Sequence, residues 1–441
     1  MTRSAQWTPV PVPAGTDPHT VPSHWFNLVP SLPAPVPAPV EPEDTGDQDA
    51  WGPRIALQQR IRLDAVRAQD SASEPFLAIP ERVREELAAI GRPTPLLRAR
   101  ALERYLETPA RIYLKREDVL PTGSFKLNSA VAQAYFAAEQ GVDTLVTETG
   151  AGQWGHAVAW AARRFGLKAV IYWAGVSARQ KPGRKALIEM LGGEVYSSPS
   201  DRTPVGKALL RDGRHLLGSL GTAIGEAICH AAQHPDTRYI SGSNLPHVLI
   251  QQTVIGQETK AQLAALGERP DTLVACVGGG SNLGGFMGPY LAEKAERGEE
   301  LLLLGAESAS APRLTEGTLR YDHADPEGIT PLTKSYTLGR DYELPETHVG
   351  GLRQHSGSPI IGVLRGEGLL DAVAYQEADA FETGRLVLST EGMLIAPESC
   401  HALRAAVQRA VQARESGREE VIVACVSGNG VLDLDGYLAH R

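Results

Sequence analysis

Cysteine is scarce in this 441-residue chain: Cys229, Cys276, Cys400 and Cys425 are all it has, and none stands in a CxxC or CxxH spacing. That excludes a disulfide framework and argues against a zinc site. Cys276 and Cys425 fall in apolar runs and read as core thiols of a reducing, cytoplasmic compartment. Positive charge is in deficit too. A formal net charge of −9 leaves no basic footprint for nucleic acid or for an anionic membrane surface. No apolar run has the length of a membrane span, and the first residues lack a signal-peptide h-region. What remains is an ordinary apolar and charged balance, over a length that accommodates two domains and a large core.

Glycine and proline are plentiful instead, and they punctuate the chain. Residues 1–50 are rich in proline and valine, run into the acidic Glu41-Pro42-Glu43-Asp44, and read as an extended arm. Trp25, Phe26 and Leu28 offer anchors for docking it, and a wholly disordered tail is the competing reading. Residues 51–100 read as helices and an extended segment that pack on the C-terminal domain, the clearest helix being marked by Val83, Leu87 and Ile90, with Gly91 as its stop. An extended 91–96 follows, where Pro93 and Pro95 forbid helix. From 101 to 240 strands (Arg111–Leu114, Thr144–Thr147, Lys168–Trp173, Glu194–Tyr196) alternate with helices (Ala130–Ala138, Trp154–Phe165, Arg179–Leu191). A second set fills 241–441: helices His247–Leu266, Gly284–Arg297 and Glu398–Arg414, and strands Thr272–Val277, Leu301–Ala306 and Val421–Val426. Residues 309–360 have weak periodicity. Such alternation predicts an α/β chain of two domains, each an open, mostly parallel sheet flanked by helices.

Four glycine-bearing loops each follow a strand. Parallel sheets bind ligands at the carboxyl ends of their strands, so these loops can converge on one cleft. In the first, Pro121 to Ala130, Lys126 opens a helix just after a glycine turn. A helix N-terminus disfavours a cation, so this amine is easier to deprotonate, as Schiff-base chemistry requires. A solvated first-turn lysine is the plain alternative. The second loop is Glu148-Thr149-Gly150-Ala151-Gly152-Gln153. Its amides can hold a carboxylate, and Glu148 in a water-poor site suits a general acid or base. A helix cap is the alternative. The third, Gly278-Gly279-Gly280-Ser281-Asn282, has the makings of a phosphate cradle, with Ser281 and Asn282 adding side-chain donors. It matches neither the Walker nor the dinucleotide fingerprint, and a tight turn is the alternative. The fourth is Ser427-Gly428-Asn429-Gly430. A serine can share a neutral hydrogen bond with a pyridine nitrogen, which leaves the ring unprotonated and favours β-elimination. A turn serine is the alternative.

The stretches SHWFNLVPSLP, GRPTPLLRARALERYL, PTGSFKLNSA, TETGAGQWG, QKPGRKALIEMLGGEVY, GSLGTAIGEAI, HVLIQQTVIGQE, GGGSNLGG, YTLGRDY, GGLRQH, STEGMLIAPESCHAL and SGNG run in order from about residue 23 to the end. In them the chain resembles the tryptophan synthase β chain of the pyridoxal-phosphate fold type II enzymes, above all its second, stand-alone type. The resemblance implies pyridoxal 5'-phosphate held on Lys126 as an internal aldimine, with Lys126 also removing the Cα proton. It makes Glu148 the acid for the departing β-hydroxyl of L-serine. Thr149, Gly150, Ala151 and Gln153 would bind the substrate carboxylate and the cofactor edge. Gly278, Gly279, Gly280, Ser281 and Asn282 would hold the phosphate, Ser427 would face the pyridine nitrogen, and Glu391, in STEG, would sit near the ring. Indole or an indole-like nucleophile would then add to an aminoacrylate, giving L-tryptophan or an analogue. The resemblance further implies a mobile subdomain within 101–240, a homodimer whose need for an α subunit stays open, and a monovalent cation, Na+ or K+, on backbone carbonyls.

Two positions depart from that family. Phe125 precedes the lysine where the family has histidine, and Ser-Phe-Lys resembles the serine/threonine dehydratases and threonine synthase. Arg340, in YTLGRDY, stands where the stand-alone type often has histidine. A serine/threonine dehydratase and a specialised β-substitution enzyme of a natural-product pathway are therefore the alternatives. A non-catalytic homologue is the third, and the joint presence of Lys126 and Glu148 argues against it.

Overall fold

The structure is a computed structural model that describes residues 7–13, 17–42 and 51–441, so Glu43 and Asp44 of the acidic stretch lie outside the described residues. Six strands make the larger sheet, in the order Asp371–Tyr375, Leu302–Ser308, Thr272–Cys276, Val421–Val426, Arg111–Arg116 and Leu96–Arg98. All neighbours run parallel except the last pair. The smaller sheet is wholly parallel and has four strands, Gly193–Ser198, Lys168–Ala174, Thr144–Thr149 and Thr237–Tyr239. Every residue of Thr272–Cys276 and Val421–Val426 is buried, as a sheet covered on both faces demands. The 309–360 stretch supplies an antiparallel pair, Thr318–Asp322 with Thr333–Thr337.

Strand membership corrects the partition at residue 240. The sequence pattern groups Arg111–Leu114 with the 101–240 set, but this strand pairs with Val421–Val426. The larger sheet thus draws on both ends of the chain, and the 144–239 strands form a sheet of their own between them. An apolar run marks a strand but not its partner, because pairing is decided by which face the rest of the chain can cover.

Three expected helices are broken, each at a residue whose chemistry explains it. Arg179–Leu191 is Gly175–Gln180 and Pro182–Met190, since Pro182 has no N–H and can only begin a helix. His247–Leu266 is Pro246–Gln252 and Val254–Ala265. At that junction the Thr253 hydroxyl donates to the Ile250 carbonyl at 2.6 Å and accepts the Phe26 N–H at 2.9 Å. Gly284–Arg297 begins earlier, at Ser281, and passes through a tight turn at Gly288–Tyr290 that contains Pro289.

The described part of the arm is docked. Trp25, Phe26 and Leu28 are fully buried, and His24–Phe26 pairs with Phe76–Ala78. Glu41 caps the Arg54–Ile61 helix, accepting the Arg54 and Ile55 N–H groups at 2.8 and 2.7 Å. Elsewhere in the interior lies a buried charge cluster. Arg92 bridges Glu117 at 2.7 Å and Glu258 at 2.9 Å, and Lys115 reaches Glu258 at 2.7 Å. Arg92 also donates to Asn128 at 2.8 Å, two residues beyond Lys126. The extended 91–96 segment, a central strand and the Lys126 helix are thereby locked to the Val254–Ala265 helix. Among the described residues no helix is long and apolar enough to cross a membrane.

Deleting one member of such a cluster leaves opposite charges buried and unpaired. Arg92→Ala is expected to lose about 3–5 kcal/mol in urea unfolding, against a few tenths for the exposed Lys168→Ala.

Candidate active site

Thr272–Cys276, Val421–Val426 and Arg111–Arg116 are adjacent strands, so the loops at their carboxyl ends are adjacent too. The Lys126 turn and the Ser427 loop are joined through the main chain: Phe125 N–H donates to the Ser427 carbonyl at 3.1 Å, and Asn429 N–H to the Gly123 carbonyl at 2.7 Å. Lys126 is the first residue of its helix, Lys126–Glu139. Its amine donates to the Gly242 carbonyl. Ser281, from the triple-glycine loop, reaches the same carbonyl at 3.3 Å. Glu148 and the 149–153 loop come across from the smaller sheet and line one small cavity with Lys126, Ser243 and Gln354. A larger cavity of about 650 Å³ is lined by Tyr239 among others, but its half-buried ionic groups Arg62 and Asp70 are paired with each other.

Burial moves both titrating groups toward neutrality. It pushes the Lys126 amine down to about 8, against the attraction of Glu148, Cys276 and Glu398. It pushes the Glu148 carboxyl up to about 7, against hydrogen bonds from the main chain and Tyr239 and the attraction of Lys126. Lack of water is therefore the main cause at Lys126, where the sequence argument rests on the helix N-terminus.

The loops around the pair are stiff. Trp173 Nε1–H donates to the Gly150 carbonyl at 2.9 Å and Arg184 to the Ala151 carbonyl at 2.7 Å. Thr149 Oγ1 accepts the Gly155 N–H at 3.2 Å. Gly152 has φ +86°, and a Cβ there would stand 2.2 Å from the Trp173 ring. In the third loop a Cβ on Gly279 would meet Ser243 at 2.5 Å, so the bare backbone lies flush against the cavity wall.

Three expected roles need revision or placement. Glu391 does not reach the cavity, because its carboxylate accepts the Leu102 N–H at 2.7 Å. The carboxylate of that stretch that acts on Lys126, alongside Glu148, is Glu398, which accepts the Gly351 N–H at 2.8 Å. Both glutamates stand in STEGMLIAPESCHAL. The overlooked signal is Pro397-Glu398, a proline and an acid opening a helix. Asn282 is not a side-chain donor to the cavity either: its amide turns to the sheet, donating to the Cys276 carbonyl at 3.2 Å and accepting from the Cys425 thiol at 3.2 Å. Ser427 is buried, 2.8 Å from Ser399 Oγ and 3.4 Å from Cys276 Sγ. The Phe125 ring lies 5.0 Å from the Lys126 amine, and Arg340 is exposed.

Three buried polar atoms around this site, Ser243 Oγ, Gln153 Nε2 and Glu398 Oε2, have no hydrogen-bond partner among the described residues. Each such group costs about 1–3 kcal/mol unless a ligand satisfies it. An amine, a glycine cradle and unpaired polar atoms around one cavity fit an aldehyde-bearing pyridine phosphate.

The sequence pattern of the family described as pyridoxal-phosphate dependent enzyme matches residues 87–428. Tryptophan synthase beta chain 1 of Sulfurisphaera tokodaii is 46% identical over 96% of this chain and 97% of its own length. Tryptophan synthase beta chain 2 of Methanothermobacter thermautotrophicus is 46% identical over 96% of both. The Thermotoga maritima beta chain 2 is 45% identical over 96% of this chain and 98% of its own. Among solved structures, the T.th. threonine deaminase shares the fold at a TM-score of 0.56 and 24% identity, covering 79% of this chain and 96% of its own. The L-serine ammonia-lyase of Rhizomucor miehei does so at 0.58 and 19%, covering 78% and 97%.

A carboxyl whose folded value lies above its unfolded value of 4.5 weakens the fold as pH rises from 4.5 to about 7. Glu148→Gln should therefore gain on the order of 3 kcal/mol over the wild type at pH 8 and nothing at pH 4. Urea unfolding of the cofactor-free protein at the two pH values measures this.

Proposed function

Because the chain belongs to the pyridoxal-phosphate dependent enzymes and, within them, to the tryptophan synthase beta chains, we propose that it is a lyase acting on L-serine. It removes the β-hydroxyl and joins indole, or an indole-like nucleophile, to the same carbon, giving L-tryptophan or an analogue. Pyridoxal phosphate, when bound, supplies the electron sink that makes the Cα proton of an amino acid acidic. Lys126 would hold its aldehyde. Gly278, Gly279, Gly280 and Ser281, with the main-chain N–H of Asn282, would hold its phosphate. Ser427 would face the ring nitrogen, with Gln153 and Glu398 at the ring edge.

The chain's own residues then handle the protons. The Lys126 amine, neutral above about pH 8, takes the proton from Cα. Glu148, protonated below about pH 7, gives one to the departing hydroxyl. The 149–153 loop holds the substrate carboxylate on its N–H groups. One observation carries this reading. An amine and a carboxyl, both brought near neutrality by burial, share a cavity, and the amine shares the Gly242 carbonyl with the triple-glycine loop.

Phe125 supports a second reading, a serine/threonine dehydratase, in which the first half-reaction ends in release rather than addition. The leading reading extends to a cytoplasmic homodimer, its need for an α subunit left open, that holds Na+ or K+ on main-chain carbonyls. The four free, buried cysteines support a reducing compartment.

Purified protein given pyridoxal phosphate, L-serine and indole is expected to yield tryptophan by mass spectrometry. Pyruvate and ammonia without tryptophan would overturn this and favour the dehydratase. Lys126→Ala should abolish turnover, and Glu148→Ala should lower kcat roughly 10²–10⁴-fold.

A further inference from the structure

We infer that Ser399 and Cys276 are positioning residues that make Ser427 a one-way hydrogen-bond donor toward the cofactor's ring nitrogen. The inference rests on the reading that this site takes pyridoxal phosphate. A serine hydroxyl has one proton and two lone pairs, and alone it can donate or accept. Among the described residues Ser427 Oγ has two side-chain neighbours, Ser399 Oγ at 2.8 Å and Cys276 Sγ at 3.4 Å. Their own further contacts decide which way each bond runs.

Ser399 accepts the Gly428 main-chain N–H at 3.1 Å. Its proton can go to Ser427 at 2.8 Å or to the Gly428 carbonyl at 3.5 Å, and the longer contact is at the limit of a hydrogen bond. The shorter one wins, so Ser399 donates to Ser427. Cys276 is set by Asn282. That amide presents its NH2 to the Cys276 carbonyl at 3.2 Å and to the Cys276 sulfur at 3.4 Å. A carbonyl only accepts, so the amide orientation is settled, and the Cys425 thiol donating to Asn282 Oδ1 at 3.2 Å agrees with it. With its sulfur serving as acceptor, the Cys276 thiol proton is left for Ser427.

Both lone pairs of Ser427 are then occupied by donors, and its single proton must point to a third partner. Ser427, Ser399, Cys276, Asn282 and Cys425 are all buried, so water does not supply one freely. The Ser427 carbonyl accepts the N–H of Phe125, the residue before Lys126, at 3.1 Å, which places this cluster at the wall of the Lys126 site. Donors in series polarise one another, so each link strengthens the next. A neutral donor held this way caps a ring nitrogen without protonating it. The arrangement also gives the inward-turned Asn282 side chain a task.

The test uses pyridoxal phosphate labelled with 15N in the ring, bound to the full chain. The nitrogen shift is read by NMR and the cofactor affinity by fluorescence titration. Ser427→Ala should move the resonance toward that of an unbonded pyridine. Ser399→Ala should move it part of the way and weaken affinity roughly 2–10-fold, the worth of one hydrogen bond. Ser399→Thr, which keeps the hydroxyl, should restore both. Where Ser399→Ala fails to fold, Cys276→Ala carries the test, with a smaller shift in the same direction expected. A resonance that moves in Ser427→Ala but stays put in Ser399→Ala and Cys276→Ala overturns this inference alone. One that stays put in Ser427→Ala overturns the placement of Ser427 as well. A wild-type chain that binds no cofactor overturns the proposed function itself.

Discussion

An ammonium and a carboxylate taken out of water together are the constraint on which this structure depends. Either ion alone in a low-dielectric cavity would be costly, and each responds by shifting toward its neutral form. At Lys126 and Glu148 that response brings both groups to within about a unit of neutral pH, the amine to about 8 and the carboxyl to about 7. A nearby amine and carboxyl of similar proton affinity can exchange protons with a substrate in either direction. The fold must hold this unfavourable pair in place. The neutral cluster of Arg92, Lys115, Glu117 and Glu258 under the Lys126 helix is one of the devices that does so.

Topology brings the parts together. Three of the four glycine loops leave adjacent strands of one sheet, and so arrive side by side without any long-range contact being required. The fourth, with Glu148, crosses from the other sheet. The cleft is therefore the seam between two sheets, with the amine and the triple-glycine loop on one wall and Glu148 on the other. Gly242 stands where the walls meet, and its carbonyl takes both Lys126 and Ser281.

Phe125 stands beside the Lys126 amine, at the position where the family resemblance implies a histidine. Its ring packs in the main hydrophobic cluster and lies 5.0 Å from the Lys126 amine. A ring there offers an apolar face where histidine would offer a hydrogen bond, so it reinforces the dryness that shifts Lys126. Direction at the other end of the site is set by polarity instead: two amide donors, Gly428 N–H and Asn282 Nδ2–H, fix the bonds that converge on Ser427.

The α/β class, the strand-and-glycine loops and the convergence of those loops near Lys126 were legible in the sequence. Turns, helix starts and apolar periodicity are written by residues a few positions apart, and the order of the loops along the chain is itself a motif. Other features were not legible. Arg111–Arg116 joins the C-terminal strands, Pro182, Thr253 and Pro289 interrupt helices, Glu398 rather than Glu391 faces the lysine, and Asn282 turns away from the cavity. By itself the sequence determined which side chains stand beside which turns. The tertiary structure alone decided which of them lose water and which way their protons point. Desolvation and hydrogen-bond direction depend on atoms packed from more than a hundred residues away, as Gly242 is from Lys126 and Asn282 from Cys425.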